Sequence, residues 1–120
     1  KCTVRVSRNE FDTIDITICS RTDKSNRVYV ELKSRNASFS KVKTFIIGHK
    51  KMLNIRSKKL TPSILVWTFN DKMFWTDYNE SFCNLPTQMC CGSAIVHINR
   101  ELCYTKIEQL SIHIKKLLKI

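Results

Sequence analysis

The sequence predicts a mainly β fold: a disulfide-braced antiparallel β-sandwich closed by a C-terminal amphipathic helix. Three observations predict it. Short runs in which apolar and polar residues alternate recur from Val4 to Ile98. Six cysteines are present, four of them (Cys83, Cys90, Cys91, Cys103) within one 21-residue stretch. After Thr105 the apolar spacing changes from two to between three and four.

Taken in order, Val4 and Val6 alternate with Arg5 and Ser7, and Ile14, Ile16 and Ile18 with Asp15 and Thr17. Val28, Val30 and Leu32 alternate with Tyr29, Glu31 and Lys33. Each run reads as a half-buried strand, which assigns Asp15, Glu31 and Lys33 to the wet side. Further strands are expected at residues 42–47, 52–55, 64–69, 73–76 and 93–98. Asn70-Asp71 between two aromatic runs is a two-residue hairpin signal, because both side chains tolerate left-handed dihedrals, and it sets Trp67 across from Phe74. Eight strands and no repeat suggest one domain over 1–120, with a β body at about 1–99 and a helix at about 106–119. An immunoglobulin-like arrangement is one version of the sandwich, although no Cys…Trp…Cys run has the spacing of such domains. An α+β or barrel arrangement competes with it.

In the tail, Thr105 and Glu108 have the spacing of a capping box. Ile107, Leu110, Ile114, Leu117 and Leu118 then fall on one arc, and the lysines on the other. Ile112 is the residue this helix misplaces.

An even cysteine number in a short chain, a first residue that is not Met, and two acceptor triplets at Asn36 and Asn79 point to a secreted, glycosylated protein whose leader has been removed. The expected disulfides draw on Cys2, Cys19, Cys83, Cys90, Cys91 and Cys103. Adjacent Cys90 and Cys91 should reach different elements, with Cys2 and Cys19 as targets and Cys83–Cys103 as a local loop. No zinc knuckle spacing accompanies His97 and His113, so neither metal nor other cofactor is expected.

Charge is unevenly distributed. The net charge is +11, and the stretch from Leu32 to Asn70 holds nine basic residues and no acid. Lys41, Lys43, Lys50, Lys51, Arg56, Lys58 and Lys59 form the candidate contact surface, two clusters around a short strand. For a secreted protein such a surface suits a sulfated glycosaminoglycan or an acidic protein partner, and nucleic acid is not expected, being the alternative only if secretion is wrong. Trp67, Phe69, Phe74, Trp75 and Tyr78 suit a core, and a tryptophan left facing outward becomes a docking hot spot.

Only two glycines occur, Gly48 and Gly92, and no glycine-rich phosphate cradle or nucleophile motif accompanies them, so a non-enzymatic reading is preferred. The function expected from sequence is a basic, disulfide-stabilised binding module that docks a receptor or cytokine-like ligand, with an immunomodulatory role among its possibilities. The alternative is a small cationic effector, either ribonuclease-like or membrane-active.

Overall fold

The computed structural model describes residues 2–6, 15–58 and 60–119. Ile14 and Lys59, named above as strand and contact residues, lie outside them.

The chain forms β1 (Cys2–Val6), β2 (Ile16–Ser20), β3 (Arg27–Ser34), β4 (Thr44–Gly48), α1 (His49–Ser57), β5 (Ser63–Thr68), β6 (Met73–Asp77), β7 (Gln88–Cys90), β8 (Ser93–Asn99) and α2 (Ile107–Leu117). Short 3₁₀ turns lie at Phe39–Lys41, Glu80–Asn84 and Arg100–Leu102. A five-stranded sheet has the order β1-β2-β3-β5-β6, and a three-stranded sheet the order β4-β8-β7. In the larger sheet β3 and β5 are parallel and every other neighbouring pair is antiparallel. The fold is therefore mixed α/β, and the pure antiparallel sandwich expected from sequence is overturned.

The parallel pair has a physical cause in β5. From Ser63 to Trp67 every residue is buried, a continuous run suited to a strand covered on both faces. Leu65 and Trp67 face one core with Phe45, Ile47, Met52, Ile55, Phe74, Phe82, Val96 and Ile98. Ile64 and Val66 face the other with Val28, Val30, Trp75 and Leu118. The small sheet and α1 cover the first face, and α2 covers the second through Leu110, Ile114 and Leu117. Covering both faces needs a crossover rather than a hairpin between β3 and β5, and the segment holding β4 and α1 supplies it.

The β5–β6 hairpin matches expectation, with Trp67 opposite Phe74 and the Phe69 N–H donating to the Lys72 carbonyl at 2.8 Å around Asn70-Asp71. Both tryptophans are interior, Trp67 at 1% and Trp75 at 4% exposure, on opposite faces of the sheet. No outward tryptophan remains to act as a hot spot.

Three local expectations are corrected. The strand expected at 52–55 is the middle of α1, where Met52 and Ile55, three apart, share the buried side. Helix α2 starts at Ile107 with Lys106 at its N-cap and no side-chain cap, so Thr105 and Glu108 form no capping box. Ile107 is exposed, and the docked face begins at Leu110.

All six cysteines are free thiols. Cys2 lies opposite Ser20 and Cys19 opposite Thr3, so these neighbours project to opposite faces of the sheet and cannot meet. The sulfurs of Cys90 and Cys91 are 4.0 Å apart, against about 2.05 Å in a disulfide. Cys83 Sγ instead contacts the Tyr78 hydroxyl at 3.0 Å, and Cys103 is packed against the first core. The disulfide brace is therefore absent, and with it the main argument for an oxidising compartment.

Candidate active site

Strands β2 and β3 pair so that Ile16 faces Val30, and continuing that register one residue sets Asp15 beside Glu31. The Leu32 backbone N–H donates to Asp15 Oδ2 at 3.0 Å, which pins the aspartate at the mouth of the pair. Val28 and Val30 point to the α2 side, so Glu31 and Lys33 emerge on the other face, toward α1. Lys33 lies in register with the buried Trp67.

Helix α1 completes the cluster. Its first turn, His49-Lys50-Lys51, holds three basic side chains and no acid, an arrangement opposed by the positive end of the helix dipole. Lys51 Nζ reaches back to Glu31 Oε1 at 3.4 Å and to Asp15 Oδ1 at 3.7 Å. The two carboxylates thus provide the counter-charge that the turn itself lacks.

Glu31 is the unusual member. Its side chain is only 6% exposed, and Oε1 is buried without a hydrogen bond. Burial, followed by the neighbouring Asp15 charge, pushes its carboxyl from an ordinary 4.5 up to about 7, against the opposing pull of Lys51. Two carboxylates held together where one must carry a proton or a counter-ion form a site with affinity for cations.

The donor set decides which cation fits. Among the described residues no group of three or more His, Cys, Asp and Glu is placed to hold a metal, so the protein donors at this position are the two carboxylates alone. Two carboxylates fit a hard divalent ion of the magnesium type, which keeps several waters and takes its remaining ligands from substrate phosphate. Glu31 Oε1, buried and without a hydrogen bond although it is ion-paired with Lys51, is the oxygen such an ion would meet.

No family model and no characterised protein sequence matches the chain. Among solved structures, it matches Hjc, a Holliday junction resolvase of the archaeal hyperthermophile Archaeoglobus fulgidus. The TM-score is 0.51 at 8% identity, over 92% of this chain and 88% of that one. The chain resembles a junction resolvase in fold.

That likeness contradicts the expected heparin-binding docking module, its receptor and glycosaminoglycan partners, and the expectation of a non-enzymatic protein that meets no nucleic acid. The physical reason for the error lies in β3. Alternation assigns Glu31 and Lys33 to solvent, whereas that side of β3 turns toward α1, which leaves Glu31 buried and Lys33 half-buried. The readable signal was an acid and a lysine two apart on an apolar strand, Glu31-Leu32-Lys33, preceded by Asp15 at the start of another.

The basic residues take different roles from those expected. Lys41 ends a 3₁₀ turn and Lys43 precedes β4, both exposed. Lys50, Lys51 and Arg56 lie on α1, and Lys58 caps its end. At about 100° per residue Arg56 points about 120° away from Lys50, so the clusters expected to flank a strand are dispersed around a helix. Lys51 turns in to the carboxylates, while Arg56 shares a recess with Ser57, Glu80 and Asn84. Asn36 Oδ1 accepts from Asn70 Nδ2, and Asn79 Oδ1 accepts from the Ser81 N–H, so both acceptor asparagines have local structural roles. Among the described residues no helix is long and apolar enough to cross a membrane.

Proposed function

We propose that the chain is a metal-assisted nuclease acting on the phosphodiester backbone of DNA, with Asp15 and Glu31 as the cation-binding carboxylates. One observation carries this reading: a nine-tenths buried glutamate paired with an aspartate and faced by lysine, in a fold shared with a junction resolvase. A divalent ion bound there supplies Lewis acidity toward a phosphoryl oxygen and an activated water. The chain's own residues do the rest. Asp15 is held in place by the Leu32 N–H, so its free oxygen stays directed at the site. Glu31 is kept dry by its burial, which strengthens every charge interaction it makes. Lys33, on the same face two residues along, is the group positioned to meet the charge developing on a phosphate. The exposed Lys41, Lys43, Lys50 and Arg56 offer sequence-independent phosphate contacts that weaken as salt rises.

The test is incubation of the protein with four-way-junction and linear duplex DNA in Mg²⁺ or Mn²⁺. Cleavage is expected, lost in Asp15→Asn and Glu31→Gln, and reduced on the order of 10²-fold or more in Lys33→Ala, the size of one electrostatic contact to a transition state. Cleavage that survives Glu31→Gln, or no cleavage of either substrate, would refute the reading.

A further inference from the structure

We infer that Lys51 is a displaceable internal counter-ion that occupies the cation position of the Asp15–Glu31 pair and sets the threshold for metal entry. The inference rests on the reading of those carboxylates as metal ligands.

The geometry carries it. Asp15 Oδ2 is committed to the Leu32 N–H, which leaves Oδ1 as the free oxygen, and Glu31 Oε1 is the oxygen without a hydrogen bond. Lys51 Nζ faces these same two atoms, at 3.7 and 3.4 Å. Charge-assisted N–H···O bonds close to about 2.7–2.9 Å, so the ammonium stands farther from both oxygens than the shortest such contacts. A magnesium-type ion would bind such oxygens at about 2.0–2.1 Å and would so take the volume that the ammonium now faces. Two cations cannot share that volume, so the lysine must leave as the metal enters.

Lysine suits this role. Its compact charge rides on a flexible four-carbon stem that can swing aside, whereas a planar guanidinium would hold both carboxylates in a rigid fork. It is also needed in the metal-free state, because Glu31 is too buried to carry charge unpaired. The lysine thus balances the pair until a divalent ion replaces it, and metal affinity is reduced by the cost of its displacement.

The experiment measures Mn²⁺ binding by calorimetry, without nucleic acid, for wild type, Lys51→Met, Lys51→Gln and Glu31→Gln. Both neutral Lys51 variants are expected to bind Mn²⁺ at least five-fold more tightly than wild type, and Glu31→Gln to lose binding. A second readout needs no variant: Mn²⁺ should accelerate acetylation of Lys51 in the wild-type protein, followed by peptide mass spectrometry, because displacement frees the amine. Equal or weaker binding in both Lys51 variants, or an acetylation rate at Lys51 that Mn²⁺ leaves unchanged, overturns the role of Lys51 while leaving the nuclease reading intact. Absence of Mn²⁺ binding in wild type and Lys51 variants alike overturns both.

Discussion

Replacing Glu31 by Gln should stabilise the protein at alkaline pH while destroying its site. In the native state the carboxyl is raised from 4.5 to about 7, burial being the larger cause and the Asp15 charge the next. Between those values the folded chain keeps a proton that the unfolded chain has lost. The stability contributed by this group is therefore complete below pH 4.5 and is lost as pH rises through 7. The full rise corresponds to about 3 kcal/mol, and to about 2 kcal/mol once the partial solvation of Asp15 and Lys51 is allowed for. Glutamine keeps the volume and does not titrate. Urea unfolding at pH 5, 6, 7 and 8, at constant ionic strength, should show wild-type stability falling by about that amount and a flatter profile in Glu31→Gln, which becomes the more stable protein at pH 8. A variant profile as steep as wild type, or a variant less stable at pH 8, would refute the assignment of strain to Glu31.

Three further outcomes are expected. Leu118→Ala, at a side chain with 0% exposure against Val28, Val30 and Trp75, should cost about 2–5 kcal/mol in thermal or urea unfolding, and a loss below about 0.5 kcal/mol would mean that α2 is not docked. Intact mass should be unchanged by reduction, and native thiol labelling should begin at the exposed Cys90 and Cys91 and end at Cys103, whose burial raises its thiol to about 11; a six-hydrogen mass change would contradict the free thiols. Gly92→Ala should cost about 1–2 kcal/mol through backbone strain alone, since its φ of +83° is left-handed and an added Cβ meets nothing within 4 Å; an unchanged midpoint would show that the β7–β8 turn can relax.

Local pattern carried far in this chain where one neighbour decides the outcome. The β5–β6 hairpin followed from Asn70-Asp71 and its aromatic flanks, and α2 from the spacing of Leu110, Ile114, Leu117 and Leu118. What failed depended on distant partners. Met52 and Ile55 read equally as a strand or as one side of a helix, and only Phe45 and Trp67 packing beside them settles it. The parallel pairing of β3 with β5 leaves no periodic trace, because a strand buried on both faces does not alternate. The site is hidden in a similar way: alternation places Glu31 in solvent, but Lys51 of α1 closes over it and belongs to the carboxylates rather than to a surface cluster. The cysteines misled for a different reason, since an even count carries no information on which faces the side chains occupy.

The β3–β5 pairing also has a consequence for the order in which the molecule assembles. Trp67 and Phe74 are seven positions apart, whereas Val30 and Ile64, neighbours across the parallel pair, are separated by 34. Closing the longer loop costs more chain entropy and must wait for β4 and α1 to collapse between its ends. Glu31 is brought under α1 only at that step, so an early compact state would hold a formed aromatic hairpin and an unassembled charge cluster. Stopped-flow refolding should then show Glu31→Gln changing the unfolding rate with little effect on folding, and an equal slowing of both limbs would contradict that order. Such a sequence of events keeps Lys51 away from the two acids, which the β2–β3 pairing already sets side by side in water, until the hydrophobic contacts able to bury them under α1 are in place.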